Sequence, residues 1–253
     1  RVVTSLNMTL SDRVGDAPNS INNALSINMV EVDREADVPT TSTFNFKSLL
    51  FDGISDYVDT NSLFNSLLQG TNFTVSMWFN SSVNTGFDCL MSNGLPFQIY
   101  FVNNKIRIFM GYPYFLNPFE SVSTLSLSTW HHLAFIKSGN NWLLYINGNL
   151  DNSVVNSGTV STATYNLTLG KYSPGAYFFQ GNIDEVALFN TDQSANISTL
   201  SASPTVDLTS LSPLGWWRMG DNDTFPIITD NGSGGFDGTM INMDAGDIVS
   251  DTP

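Results

Sequence analysis

Hydrophobic and polar residues alternate in the middle of the chain with the period of two that is typical of half-buried β-strands. In residues 73–79 every second side chain is apolar, so that one face of the predicted strand is Phe, Val, Met and Phe. Residues 97–102 and 105–110 are two further strand-like segments. They flank Asn103 and Asn104, a pair typical of a two-residue hairpin turn.

Residues 130–136 are apolar on both faces, which predicts a strand in the middle of a sheet that is covered on both sides, or a strand at a functional concave face. Residues 142–146, 165–170 and 183–189 supply further strands. Residues 194–200 are the only helical segment that the pattern predicts. The chain is therefore predicted to be an all-β protein.

Residues 1–45 lack this regular pattern, since polar turns and the Pro39-Thr40 region interrupt the short apolar stretch at 24–30. We interpret 1–45 as an N-terminal arm or anchoring segment, and residues 46–253 as the β-sandwich domain.

Composition narrows the functional classes. The 253 residues carry 9 basic and 23 acidic side chains, for a net charge of −14. This balance argues against binding to a nucleic acid backbone and to anionic membranes. No stretch approaches 18 consecutive apolar residues, so no membrane insertion is predicted.

Cys89 is the only cysteine, so an intrachain disulfide is excluded. It is predicted to be a small buried core residue, and the lack of disulfides favours assembly in a reducing cytoplasm or a bacterial surface protein.

Three segments stand in a characteristic order along the chain. They are FDGISDYV at 51–58, WHHLAF at 130–135 followed by LLYING at 143–148, and FFQGNIDEVALF at 178–189. Together they resemble the laminin-G-like family of the concanavalin A-like superfamily, which is related to pentraxins. The resemblance implies a jelly-roll sandwich of two antiparallel sheets. That fold serves lectins, adhesion modules, glycanases and virus coat parts alike.

The C-terminal region resembles the segment that normally opens such a domain. Its sequence is LGWWRMGD at 214–221, ITDNGSGG at 228–235 and FDGTM at 236–240. Either this copy is circularly permuted and residues 214–242 close its own sandwich, or the segment begins another repeat that packs against the first. We favour the former, because an isolated Trp-Trp strand would expose a large apolar area.

The family resemblance also implies a structural Ca²⁺ ion. The matching residues are Asp52, Gly53 and Asp184, which would offer carboxylate and backbone oxygens, the ligands that Ca²⁺ prefers. The alternative is that Asp184 caps a turn and that Asp52 bonds backbone amides.

The hypothesis that the protein is a glycanase depends on Glu31, Asp33 and Glu35, which would share one face of a strand. Glycanases of the superfamily carry a Glu-x-Asp-x-Glu strand of this kind. Here the motif precedes the sandwich, has Arg34 in place of an apolar residue and lacks flanking aromatics, so a solvated charge run is the better interpretation. The only histidines, His131 and His132, are adjacent and fall on opposite strand faces, which predicts packing roles. No catalytic residues are predicted, and the protein is not expected to be an enzyme.

Two aromatic loops are the candidate ligand-binding residues. Tyr112 and Tyr114 lie in one, and Tyr172 and Tyr177 lie in the other. Such rings stack on sugars or contact another subunit with similar ease.

Two functions follow. The main prediction is a structural protein of a virion, such as a phage capsid decoration, fibre or coat component, because the arm and the sparse charge resemble laminin-G-like proteins of marine phage virions. Its partners would be other virion or surface subunits, most simply further copies in a homo-oligomer. The alternative is a calcium-dependent glycan-binding or adhesion module. The expected location is a virion surface, or the cell surface and extracellular space.

Overall fold

The computed structural model describes residues 47–84, 86–111 and 116–253. The strands are β1 (Ser48–Asp52), β2 (Tyr57–Asp59), β3 (Asn72–Ser81), β4 (Asp88–Ser92), β5 (Phe97–Val102), β6 (Lys105–Met110), β7 (Leu116–Glu120), β8 (His131–Ser138), β9 (Asn141–Ile146), β10 (Asn149–Val155), β11 (Thr168–Leu169), β12 (Gln180–Phe189), β13 (Gly215–Trp217), β14 (Ile227–Ile228), β15 (Gly238–Ile241) and β16 (Ile248–Val249). The helices are α1 (Asn65–Leu68) and α2 (Ile197–Leu200), with single 3₁₀ turns at Ser194–Asn196, Thr209–Leu211 and Ala245–Asp247.

Within these ranges the strands form two antiparallel sheets. The first sheet has the order β10-β9-β8-β3-β12-β1-β16, and β13 also pairs with β12. The second sheet has the order β14-β15-β2-β11-β4-β5-β6-β7. The predicted all-β jelly-roll sandwich of two antiparallel sheets is confirmed.

The core lies between the sheets. The alternating apolar side chains of β3 all point into it, and none is exposed to solvent. Strand β8 is buried on both faces, as its sequence predicts: Phe135 joins the central core, while Ala134 and Ile136 pack on the outer side. That outer side is covered by residues 194–211, which we call the covering segment. Its Ile197, with Leu200 and Leu208, lies against the sheet.

Some strands carry no clear sequence pattern. The five residues of β4 are all buried, so they do not alternate. Strand β10 is at the edge of its sheet, and no residue in it is fully buried. Strand β7 contains Pro118 and lies at the edge of its sheet. An edge strand tolerates proline, which lacks an N–H, because the N–H groups on the outer side of the strand have no neighbouring strand to bond. The predicted strand at 165–170 is reduced to β11.

The segment 214–242 contributes to both sheets. Strand β13 pairs with β12, and β15 pairs with β2 and β14. Trp217 is fully buried in the core and donates its indole N–H to the carbonyl of Phe236 at 2.8 Å. These strands therefore belong to the same sandwich as the rest of the described domain. The arm predicted at 1–45 lies outside the described residues.

Candidate functional site

On the second sheet the strands β4, β5 and β6 lie side by side. On β5, Phe97 and Phe101 point into the core, so Gln98 and Tyr100 point outward. Phe109 of β6 is the cross-strand partner of Gln98 and faces the same way. Strand alternation thus places aromatic and polar side chains together on this outer face.

These side chains line a concave space of about 320 Å³ that we call the aromatic hollow. Its lining residues are Phe87, Gln98, Tyr100, Phe109, Tyr172 and Tyr177. Five of the six are aromatic, and they come from β5, β6, the turn before β4 and the loop between β11 and β12.

Tyr100 is the centre of the aromatic hollow. Its ring centroid lies 5.4 Å from Phe87, 5.9 Å from Phe109 and 6.2 Å from Tyr177, and 6.4 Å from Tyr172. These separations are in the range of favourable ring pairs. Tyr100 is itself only 3% exposed, because the four surrounding rings cover it.

Two rings remain available to a ligand. Phe87 is 38% exposed and Tyr177 is 52% exposed, and their centroids are 5.7 Å apart. Tyr177 has a backbone φ of +73°, an unusual conformation for a residue other than glycine. The loop therefore holds a bulky aromatic side chain where turn geometry alone would favour glycine or asparagine.

The hollow also contains oriented polar groups. The Tyr100 hydroxyl donates to Gln98 Oε1 at 2.9 Å, and Gln98 Nε2 donates to the carbonyl of Leu95 at 3.1 Å. These bonds fix the direction of the amide and the phenol. A surface of exposed rings with a few fixed polar atoms can hold the apolar face of a ligand and orient its hydroxyl groups.

Charged residues border the hollow on β6 and β7. Arg107 is the cross-strand partner of Tyr100, and its Nε donates to Glu120, which also contacts Lys105 Nζ at 3.3 Å. Burial opposes ionisation of Glu120, but the hydrogen bonds from Arg107 and Lys105 outweigh it and hold the pKa of Glu120 below its usual value. The carboxylate is therefore charged at neutral pH.

The structure brings together part of the predicted ligand-binding set. Tyr172 and Tyr177 line the aromatic hollow, whereas Tyr112 and Tyr114 lie outside the described residues. Tyr100 and Phe109 were predicted only as members of a hairpin. Cys89 packs beneath Tyr100, and burial raises the pKa of its thiol well above the usual value, which agrees with a core role.

The three residues that the family resemblance offers for calcium do not converge. The Asp52 carboxylate accepts hydrogen bonds from the backbone N–H groups of Ile54 and Ser55, at 2.7 and 2.9 Å. Asp184 is fully buried on β12 and accepts the N–H of Glu185 at 2.8 Å.

Asp52 pairs with Gln180 in the β1–β12 register. Gln180 lies four residues before Asp184 on β12, which separates the two positions by roughly 13 Å along the strand. Gly53 follows Asp52 in the turn. Among the described residues no group of three or more His, Cys, Asp or Glu side chains is arranged to hold a metal ion. Calcium binding by the domain stays a prediction, without a shared site for these residues.

The two histidines do not form an acid–base pair with each other. His131 and His132 fall on opposite faces of β8, as predicted. Burial lowers the pKa of His132 to about 3, and its Nε2 lies 2.9 Å from the Ser76 hydroxyl. It is therefore a neutral, enclosed packing residue. Glu31, Asp33 and Glu35 lie outside the described residues.

A search of curated proteins gives no match. A comparison with protein-family models does give a match. The model described as the concanavalin A-like lectin/glucanases superfamily matches residues 52–196, more than half of the chain. No described helix is long and apolar enough to cross a membrane.

Solved structures share the fold at low sequence identity. A Bacteroides ovatus protein, named for an inferred carbohydrate-binding role, has a TM-score of 0.63 and 15% identity; the match covers 83% of this chain and 60% of that one. The CBM40 module of the Ruminococcus gnavus IT-sialidase, solved with α2,3-sialyllactose, has a TM-score of 0.51 and 14% identity, covering 62% and 95%. The NanB sialidase of Streptococcus pneumoniae has a TM-score of 0.51 and 20% identity, covering 65% and 28%.

The chain thus spans 60% of the length of the Bacteroides ovatus protein and a smaller part of the sialidase. The order of the sequence motifs, the two antiparallel sheets and the family match agree with one another. The chain belongs to the concanavalin A-like lectin/glucanase superfamily, in its laminin-G-like branch.

Proposed function

We propose that this domain binds glycans at the aromatic hollow and does not cleave them. The observation that carries the proposal is the set of five clustered aromatic rings on the outer side of the second sheet, two of them substantially exposed. Clustered exposed apolar side chains often mark sites of interaction.

The chemistry of the hollow suits a sugar ring. The C–H groups on one face of a pyranose are apolar and can pack on an aromatic ring, and Phe87 and Tyr177 are the exposed rings that would receive them. The hydroxyl groups at the edge of the sugar exchange hydrogen bonds with fixed polar atoms such as those of Gln98. The volume of the hollow is at the lower end of the range of small-ligand sites.

The comparisons support a glycan-binding role more than a virion role. One similar structure is named for carbohydrate binding, and another is a module of a sialidase solved with sialyllactose. A lectin of this kind acts at the cell surface or outside the cell, which is the location that we propose.

The virion function and the homo-oligomer stay predictions. They depend mainly on the arm at 1–45, which lies outside the described residues. Removal of residues 1–45 would dissociate an oligomer that the arm holds together, whereas sugar binding at the hollow would persist.

The decisive experiment removes one exposed ring. The wild-type protein is first screened on a glycan array, and the affinity of the best ligand is measured by calorimetry. In Tyr177→Ala the dissociation constant is expected to rise at least tenfold, because exposed aromatic anchors contribute about 2 kcal/mol or more to binding. Tyr165→Ala is the matched control, since Tyr165 is 44% exposed and lies outside the hollow.

Two results would overturn the proposal: an absence of binding to any glycan, or a parental affinity in Tyr177→Ala with a loss in Tyr165→Ala. Release of new reducing ends from the bound glycan would show that the domain cleaves what it binds.

A further inference from the structure

Positive charge is concentrated around the aromatic hollow, although the chain carries a net charge of −14. Lys105 and Arg107 lie on β6 beside Phe109, and Lys171 directly precedes Tyr172. The Lys171 Nζ lies 4.0 Å from the centre of the Tyr57 ring on the same sheet. The remaining described Lys and Arg residues are elsewhere, at Lys47, Lys137 and Arg218.

The negative charges on this part of the face are fewer. Glu120 is the carboxylate that contacts Lys105 and Arg107, so two cations stand against one anion on β6 and β7. The Lys171 ammonium lies over Tyr57 on β2, the strand that also carries Asp59, and β11 separates that strand from β4. The local balance is therefore opposite in sign to that of the whole chain.

Arg107 borders the aromatic hollow. It stands opposite Tyr100 in the β5–β6 register, and directly opposed side chains of a sheet are neighbours on the same face. Glu120 contacts Arg107 through Nε. Among the described residues its terminal guanidinium nitrogens have no hydrogen-bond partner, and the side chain is 26% exposed.

From this geometry we infer that the hollow selects acidic glycans, with a sugar ring on the exposed aromatics and its carboxylate on the terminal nitrogens of Arg107. The inference rests on the proposed glycan-binding function. A guanidinium binds a carboxylate through two parallel hydrogen bonds, which no hydroxyl group of a neutral sugar can reproduce.

The overall negative charge does not prevent this selection. Charges separated by more than about 8 Å are largely screened at physiological ionic strength. A carboxylate held at Arg107 therefore responds mainly to Lys105, Glu120 and Arg107 itself. At low salt the long-range repulsion returns, and it slows the approach of a polyanion.

The test uses glycans in matched pairs. Each pair consists of an oligosaccharide of uronic or sialic acid and the same molecule with its carboxyl groups methyl-esterified, and sulfated oligosaccharides of equal length form a third set. Affinities are measured by calorimetry for the wild type, Arg107→Gln and Lys47→Gln. The last variant makes the same charge change far from the hollow, where Lys47 bonds Ser250 at 2.9 Å.

The wild type is expected to bind at least one acid tenfold or more tightly than its ester. Arg107→Gln should reduce that ratio to within about twofold, while Lys47→Gln keeps the ratio. Equal binding of acid and ester by the wild type, a ratio preserved in Arg107→Gln, or tighter binding of the sulfated set would overturn the inference and leave glycan binding intact. Binding to none of the three sets would instead overturn the proposed function.

Discussion

The outer faces of the two sheets differ in what covers them. On the first sheet the outward residues Ala187 and Phe189 are buried by the covering segment, whose α2 packs directly on them. On the second sheet the outward Tyr100 packs against other aromatic side chains, and Tyr177 remains half exposed.

The difference arises from the path of the chain and not from the strands. Both faces carry apolar outward positions that alternate with core positions. After β12 the chain turns back over the first sheet, so that sheet is completed by its own sequence. Nothing in the described ranges does this for the aromatic hollow. The first face is therefore expected to contribute mainly to stability, and the second is the face for which we propose ligand binding.

The largest expected effect is on the stability of the covered face. Phe189→Ala removes a fully buried ring beneath the covering segment and is expected to lower the free energy of unfolding by about 3–5 kcal/mol. The measurement is urea denaturation followed by Trp fluorescence. The affinity of the folded fraction for its glycan should be unchanged.

Tyr177→Ala is the counterpart on the open face. We expect the free energy of unfolding to change by less than about 0.5 kcal/mol, since the ring is half exposed. A large loss of stability in this variant, with a small one in Phe189→Ala, would reverse the assignment of roles to the two faces.

A second effect depends on the buried charges of the covered face. Glu185 accepts hydrogen bonds from Arg218 Nε at 2.8 Å and from the Trp216 indole at 2.6 Å. Burial raises the pKa of Glu185 to about 7, although Arg218 opposes the rise. Arg218→Met leaves the carboxylate without its cation and is expected to destabilise the fold by about 3 kcal/mol at pH 8.

The sign of the pH dependence distinguishes this pair from simple loss of packing. Because the pKa of Glu185 in the folded state lies above its unfolded value, its protonation favours the fold at low pH, and this contribution is lost as the pH rises through about 7. The destabilisation by Arg218→Met should therefore be clearly smaller at pH 5 than at pH 8 in parallel denaturation curves. An equal loss at both pH values would mean that Glu185 is not the group responsible.

The smallest expected effect is that of chelation. Asp52, Gly53 and Asp184 do not converge, so EDTA is expected to change the melting temperature by less than about 1 °C relative to buffer with added calcium. Differential scanning calorimetry measures this, with Asp184→Asn as a second sample. A rise of several degrees on adding calcium, absent from Asp184→Asn, would support the family expectation against the geometry.

The sequence predicts the strands best where one face is buried and the other is not. The alternation in β3 and the Asn103-Asn104 turn identify their elements closely, because each reflects local geometry. Strand β10 escapes prediction, since an exposed edge strand has no buried face to impose a pattern.

The candidate site is less predictable for a different reason. Tyr172 and Tyr177 stand out as aromatics in a loop that contains proline and glycine. Tyr100 and Phe109 look like ordinary strand residues, and only the register of β4, β5 and β6 shows that their rings meet. Phe87 reaches the hollow from the turn before β4, where no periodic pattern applies.

The first and last strands of the described domain are neighbours. Strand β1 pairs with β16, Lys47 bonds Ser250, and the Ser48 hydroxyl donates to the carbonyl of Asp251. A domain whose first and last strands are adjacent can be inserted into a loop of a host protein, because the two ends of that loop need to move apart only a little. The junction lies on the first sheet, so a reporter fused there would leave the aromatic hollow on the second sheet facing solvent.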